Sequence, residues 1–542
     1  LIMYIIGVSA YYHDSSACLF KNGELLFACE EEKFTGIKHD SSFPHKTIEY
    51  IFKTYKLSKD DISCVCYYED PFLRFKRKKS FLTSLVNYIK VRYNLNKISK
   101  KKHYTPHHLS HMAYSYYSSN YNDAVVVSID GVGETSTISF GKGVGGHIKQ
   151  LKTIEYPHSV GLFYSAMTAF LGFKPNEGEY KVMGLASYGN PSKYRDKVSK
   201  LMKYKNETLT CNMDVFVWDK EDTLMFNHQL GELLKLPNRL PNEPLTQDHK
   251  DLAASVQERY ENIFFKILKE GKHLFKSNNL CLGGGCAYNG KANGMVVESG
   301  LFKHLWIPPA PSDAGNAIGS CLYYLSLTKP TKINSSPFLG PSYSDSEIFN
   351  ALNEYKPLVM FERLNEDVML KKISKCLNNK LVVGWFKDRI EFGARALGNR
   401  SILANPTDSE MKDRINRVIK KREGFRPFAP MVTFESQDKY FKSKEYIPYM
   451  NQVVQVRDEY KDKLLAVTHI DGTARVQSVT PYNKIYTLLK EFEKLSGYPI
   501  LLNTSFNVKD KTMVLTPQDA LHTFIDTEMD VLVLGNYIVY KK

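Results

Sequence analysis

Several things are scarce in this chain, and each scarcity closes off a class of protein. The nine cysteines are scattered over 542 residues with no Cys-x-x-Cys pair, and Cys64-Val65-Cys66 is too tight for a zinc knuckle. That usage predicts reduced thiols and a cytoplasmic location rather than a disulfide framework. No apolar run approaches the roughly 20 residues needed to cross a bilayer, so no membrane partner is expected. The apolar start, Leu1-Ile2-Met3-Tyr4-Ile5-Ile6-Gly7-Val8, lacks the basic lead and cleavage site of a secretory signal. It reads as a first strand, with Met3 as a natural start. Acids are outnumbered, 58 against 73 Lys and Arg, which leaves a net charge of +15. Much of the visible clustering lies in Arg74-Phe75-Lys76-Arg77-Lys78-Lys79 and in Lys97 to His103. Neither run carries an RNA-binding signature, so the expectation is a solvated surface, or steering of anionic substrates such as ATP, rather than nucleic acid.

What is present fits a folded α/β protein of two or three domains, with 43% hydrophobic residues and 32 glycines. Residues 3–9 alternate into a polar turn, and Asn22-Gly23 between apolar runs predicts a tight hairpin. A similar unit follows Asp130, with a hairpin expected around Gly141-Lys142-Gly143. Two such units suggest an internally duplicated α/β domain. Residues 331–346 are rich in Ser and Pro without apolar periodicity, which places a boundary between a domain over 1–340 and another over 350–542.

The most informative stretch is Thr105-Pro106-His107-His108-Leu109-Ser110-His111. Thr105 is a good N-cap and Pro106 a good first helical residue. His107 and His111 then stand one turn apart on one helix face, and the apolar run 124–129 delivers Asp130 at a strand end. Two imidazoles and an aspartate can hold a divalent metal, although ordinary polar helix residues show the same spacing. His13 lies in the first polar turn, where it either points into a cleft or caps the backbone. Gly283-Gly284-Gly285 follows a strand and precedes a helix, a pattern that serves either a phosphate or a plain tight turn. Asp313 leads into a small-residue helix. Beyond the boundary, Arg395, Arg400, Lys420, Arg426 and Arg475 accumulate, together with Ser505 and Asn507 at a strand end. As a set they read as a site for a compact anion, since the arginine fork donates two hydrogen bonds to phosphate.

These landmarks resemble the O-carbamoyltransferases of the NodU/CmcH type over nearly the whole chain. The stretches that carry the resemblance are 13–17, 107–111, Lys181 to Ala186 and 283–289, then 391–401, 425–430 and 503–507. Many relatives have Trp and Pro where this chain has Phe392 and Ala394; neither change touches a proposed ligand. The resemblance implies a duplicated actin/hexokinase-like ATPase (TsaD-like) domain followed by a YrdC-like α/β domain. It implies that carbamoyl phosphate and ATP, with Mg2+, give carbamoyl-adenylate in the second domain. A hydroxyl of a small natural-product acceptor then takes the carbamoyl group in the first, and AMP leaves. Carried onto this chain, the metal ligands are His107, His111, Asp130 and Asp313, for Fe(II) or another divalent ion. His13 is the base and Lys38 helps hold the acceptor. Lys181, Gly283, Gly284, Gly285 and Asn289 contact nucleotide. Arg395, Lys420, Arg426, Arg475, Ser505 and Asn507 bind carbamoyl phosphate and ATP. Self-association is left open. The chief rival is a tRNA threonylcarbamoyl-adenosine-type enzyme, which shares both folds and differs in acceptor. A plain ATPase or sugar kinase leaves the C-terminal arginines unused, and a non-catalytic nucleotide or metal sensor leaves more unexplained still.

Overall fold

A computed structural model describes residues 2–71, 81–221, 224–334 and 336–542, with side chains in the 81–98 helix described from residue 85. The basic run 74–79 therefore lies outside the described residues. Two compact units emerge, one of residues Leu1–Glu31 with His39–Ser335, the other of Glu32–Lys38 with Ser336–Lys542. No helix among the described residues is long and apolar enough to cross a membrane.

The first unit contains the same sheet twice. Strands β1 (Tyr4–Ser9), β2 (Ser16–Lys21), β3 (Glu24–Glu30), β4 (Ile62–Tyr67) and β5 (Lys102–Tyr104) lie in the order β3-β2-β1-β4-β5. The second copy uses β6 (Asp123–Ile129), β7 (Ser136–Val144), β8 (His147–Glu155), β11 (Asn279–Gly283) and β12 (His304–Trp306), in the order β12-β11-β6-β7-β8. A small hairpin, β9 (Met202–Lys205) with β10 (Thr208–Cys211), stands apart. In each copy the first three strands pair antiparallel and the last two parallel. This is the duplication expected of an actin/hexokinase-like domain, and it puts the ends of β1 and β6 in equivalent places.

The first hairpin turns at Asn22 and Gly23, both at positive φ, as their two-residue loop requires. The second does not turn at Gly141-Lys142-Gly143. β7 runs straight through those residues, and the turn falls at Gly145-Gly146, again both at positive φ. The two strand glycines have another use: a Cβ on Gly141 would strike Met112, and one on Gly143 the Tyr116 ring. They let the helix His107–Tyr117 settle directly on the sheet, and every residue of that helix is buried. On its other side the helix Asp313–Ser326 packs just as closely, because a Cβ on Gly319 would strike the Ser110 carbonyl oxygen. Glycine thus sets the separation of the two helices that carry His107, His111 and Asp313.

The second unit is a mixed eight-stranded sheet. Its strands lie in the order Val359–Arg363, Tyr537–Lys541, Val531–Leu534, Val383–Phe386, Arg400–Ala404, Ile500–Ser505, Ala429–Thr433 and Gln477–Val479. Period-two alternation sends Leu403, Leu501 and Val533 to one face and Ile402, Leu502 and Leu532 to the other. Helices Glu366–Asn378 and Ile485–Ser496 cover the first face; Asp345–Glu354 and Pro517–Ile525 cover the second. Phe34, from the short N-terminal segment, packs against Ile390, Ala396, Met513 and Leu515 of this unit.

Candidate functional site

In the first unit the histidine helix starts at His107 with Pro106 as N-cap, one residue later than the Thr105 cap predicted from sequence. The cap residue offers no side-chain acceptor. Instead the Glu134 carboxylate, from the segment after β6, accepts the His107 N–H at 2.9 and 3.0 Å and the Asp70 N–H at 2.8 Å. A carboxylate at a helix N-terminus also meets the positive end of the dipole.

One turn of helix brings the Nε2 atoms of His107 and His111 to 3.1 Å of each other. Asp130, just past β6, spends Oδ1 on the Gly285 N–H at 3.0 Å and turns Oδ2 toward His107 Nε2 at 3.0 Å and His111 Nε2 at 3.4 Å. Asp313, the first residue of its helix, sets Oδ1 3.4 Å from both imidazoles. All four side chains are buried, and neither Asp313 oxygen has a hydrogen-bond partner. Burial works against a charged His107, but Asp313 and Asp130 outweigh it and hold its pKa well above the ordinary range. Two buried carboxylates facing two ring nitrogens, with unsatisfied lone pairs pointing inward, call for a cation. The group fits a metal ion: one donor atom from each of the four residues lies within 4.8 Å of the other three. His108 turns away to Ser139 Oγ at 3.0 Å; burial and the neighbouring His107 push its pKa down to about 3, so it stays neutral.

His13 stands beside this cluster, its Nε2 3.7 Å from Asp313 Oδ2. Its Nδ1 faces Asp14 Oδ2 at 3.0 Å, and the other oxygen of Asp14 faces His39 Nδ1 at 2.6 Å. Burial disfavours the imidazolium, yet Asp313, Asp14 and Asp130 together push His13 up to about 10. The turn that presents it is strained: Tyr11 lies at φ 73 and Asp14 at φ 52.

The glycine run is used for close packing. A Cβ on Gly283 would come within 2.9 Å of the His111 carbonyl oxygen, and one on Gly284, at φ 88, would strike that of Ile129. The Gly285 N–H is spent on Asp130 rather than left open for a phosphate. Asn289 caps the helix Gly290–Glu298 through the Ala292 N–H at 3.1 Å and trades amide hydrogen bonds with Gln257. Lys181 lies on the helix Glu179–Ala186 with its ammonium 5.6 Å from the centre of the Phe173 ring.

The second unit gathers charge of the opposite kind. Lys420, 2% exposed, donates to Ser505 O and Oγ and to Asn507 O and Oδ1. Burial, then Arg422, Arg426 and Lys38, hold its pKa well below the usual lysine range. Arg475 is likewise depressed by burial and then by Arg395, Arg422 and Arg426. All six predicted anion-binding residues thus fall into two sets, one around Lys420 and one around Arg475, that share Arg422 and Arg426. Lys38 belongs to this unit and adds to the same field. Arg400 is a different matter. Fully buried, it donates to the carbonyls of Lys387, Asp388 and Asn399 and stacks on Phe386, so it ties down the loop between two central strands. The buried Glu391 carboxylate folds the loop that carries Arg395 by accepting the N–H groups of Leu397, Asn399 and Arg400.

Comparison with known families assigns residues 4–94 and 72–322 to the carbamoyltransferase N-terminus and 374–541 to the carbamoyltransferase C-terminus. The chain belongs to the carbamoyltransferase family. An uncharacterized protein of Synechocystis is 38% identical over 99% of this chain and 97% of its own length. Nodulation protein NolNO of Sinorhizobium fredii is 34% identical, covering 98% of this chain and 80% of that protein. Nodulation protein U of the same species is 32% identical across 55% of this chain and 51% of its own.

In this carbamoyltransferase several residues that sequence reasoning passed over stand against the predicted ones: Asp14 and His39 behind His13, Glu134 over the helix end, Gln257 behind Asn289, Asn316 beside His111, and Arg422 near Lys420. Only Asp14, adjacent to His13, and Arg422, inside the basic run, carried a local signal.

Proposed function

We propose that the enzyme is an ATP-dependent O-carbamoyltransferase that works in two steps. The second, YrdC-like unit converts carbamoyl phosphate, ATP and water, with Mg2+, into carbamoyl-adenylate, pyrophosphate and phosphate. The first, TsaD-like unit transfers the carbamoyl group to a hydroxyl of a small acceptor, and AMP leaves. What supports the reading is a single contrast: the first unit concentrates buried electron-pair donors, the second concentrates cations.

In the second unit Arg395, Arg422, Arg426 and Arg475 are arranged to neutralise the phosphates of two anionic substrates. Lys420, already fixed by Ser505 and Asn507, adds a point charge and orients both of these side chains. In the first unit His107, His111, Asp130 and Asp313 would hold Fe(II) or another divalent ion. When bound, such an ion would polarise the adenylate oxygens and cancel the carboxylate charge that keeps His13 protonated. Asp14 accepts from His13 Nδ1, so that Nε2 is the atom presented to the acceptor hydroxyl and takes its proton. Asp14 is itself held by His39.

The test supplies carbamoyl phosphate, ATP and a hydroxyl acceptor and follows nucleotide products by mass spectrometry. AMP and pyrophosphate in step with carbamoylated acceptor are expected; ADP and phosphate without AMP would refute the adenylate route.

A further inference from the structure

One buried group beside the four-residue cluster has no role so far. Asn316 lies on the same helix as Asp313, one turn on, and is fully buried. Its Nδ2 is 3.1 Å from His111 Nε2, the atom that faces the other donors, while its Oδ1 has no hydrogen-bond partner. A buried carbonyl left unpaired is costly, so an amide held this way needs a reason.

Geometry supplies one. Donor atoms about 2.1 Å from one ion stand roughly 3.0 Å apart at right angles and about 3.4 Å at the tetrahedral angle. His107 to His111, His107 to Asp130, and Asp313 to both histidines measure 3.1, 3.0 and 3.4 Å. The Asn316 amide, at 3.1 Å from His111, falls in the same series. A half-turn about its last torsion exchanges Nδ2 for Oδ1, which puts the orphaned oxygen among the donors. With Nδ2 facing His111, the amide N–H takes the very lone pair of His111 that the cluster needs.

We propose that Asn316 is a fifth protein donor of this site, its carboxamide oxygen completing a two-nitrogen, three-oxygen set. The inference rests on reading the cluster as a metal centre. The third oxygen is neutral, so it adds a hard donor without a third buried negative charge. Such a set suits Fe(II) or Mn(II) in five or six coordination and disfavours tetrahedral zinc. Asn316 therefore decides which metal the site takes.

The test loads metal-free enzyme with Co(II), Mn(II) and Zn(II) separately and needs no turnover. Wild type should bind all three, with the weak visible Co(II) bands of a five- or six-coordinate ion. Asn316→Leu should strengthen those bands toward the tetrahedral pattern. It should also weaken Mn(II) binding by about 10–100-fold while sparing Zn(II). Asn316→Asp keeps an oxygen and loses the N–H, so it should bind Mn(II) at least as tightly as wild type. Unchanged Co(II) bands and an unchanged Mn(II)/Zn(II) preference in Asn316→Leu would overturn the proposal, as would weaker Mn(II) binding in Asn316→Asp. Wild type that binds none of the three ions would instead remove the metal centre itself, and the proposal with it.

Discussion

The two units bury charge in opposite ways. In the first, carboxylates and imidazoles turn their lone pairs toward one point, with both oxygens of Asp313 unsatisfied. In the second, arginines and a lysine crowd together until burial and mutual repulsion depress Lys420 and Arg475. Each arrangement alone is unfavourable to folding: the second because like charges in a low-dielectric interior repel strongly, the first because buried carboxylate oxygens are left without partners. Each makes sense when a ligand of the missing sign arrives. A cation would suit one unit and phosphates the other, which is the physical basis of the proposed division between activation and transfer.

The sharpest way to break this comparison is to remove a donor from the first unit. Asp313→Ala should lose bound metal and lower acceptor carbamoylation about 10^3-fold, the equivalent of several kcal/mol of lost charge stabilisation. Pyrophosphate release from carbamoyl phosphate and ATP should persist; its equal loss would mean the units are not separate in function. The mirror experiment is Arg426→Ala, which should cut pyrophosphate release by about 10^2 to 10^3 and leave metal content intact. His13→Asn should reduce transfer by roughly 10^2 while adenylate formation and metal content stay normal. Equal loss of both partial reactions would exclude it as the base. The smallest effect is on stability. Arg475→Gln relieves repulsion from Arg395, Arg422 and Arg426, so the ligand-free enzyme should gain about 1 kcal/mol. In saturating pyrophosphate the gain seen by thermal melting should vanish or reverse.

Local chemistry was readable in the sequence wherever neighbours along the chain decide it. Asn22-Gly23 makes a turn because both residues tolerate positive φ, and four-residue spacing puts His107 over His111. Asp130 was legible at a strand end as a partner of the histidine pair, whereas only the resemblance joined Asp313 to the same site. What stayed hidden depends on distant partners. Gly141 and Gly143 looked like turn residues, but they thin a strand so that a helix can approach. Glu134 replaces the expected Thr105 cap from 27 residues past His107, and Gln257 reaches Asn289 across 32 residues. Arg400 reads like its neighbour Arg395 in sequence, yet one is wholly enclosed and the other faces the anion set.

The seven-residue segment Glu32–Lys38 has a consequence for how the chain is born. A ribosome completes every strand of the first unit before Ile390 or Met513 exists, so Phe34 must wait, with its destination incomplete, for about four hundred and eighty residues of synthesis. The second unit cannot close over Phe34 until the chain's beginning is delivered to its end. A fragment cut at Ser336 should accordingly carry an open apolar notch, filled again only when a peptide containing Phe34 is added back.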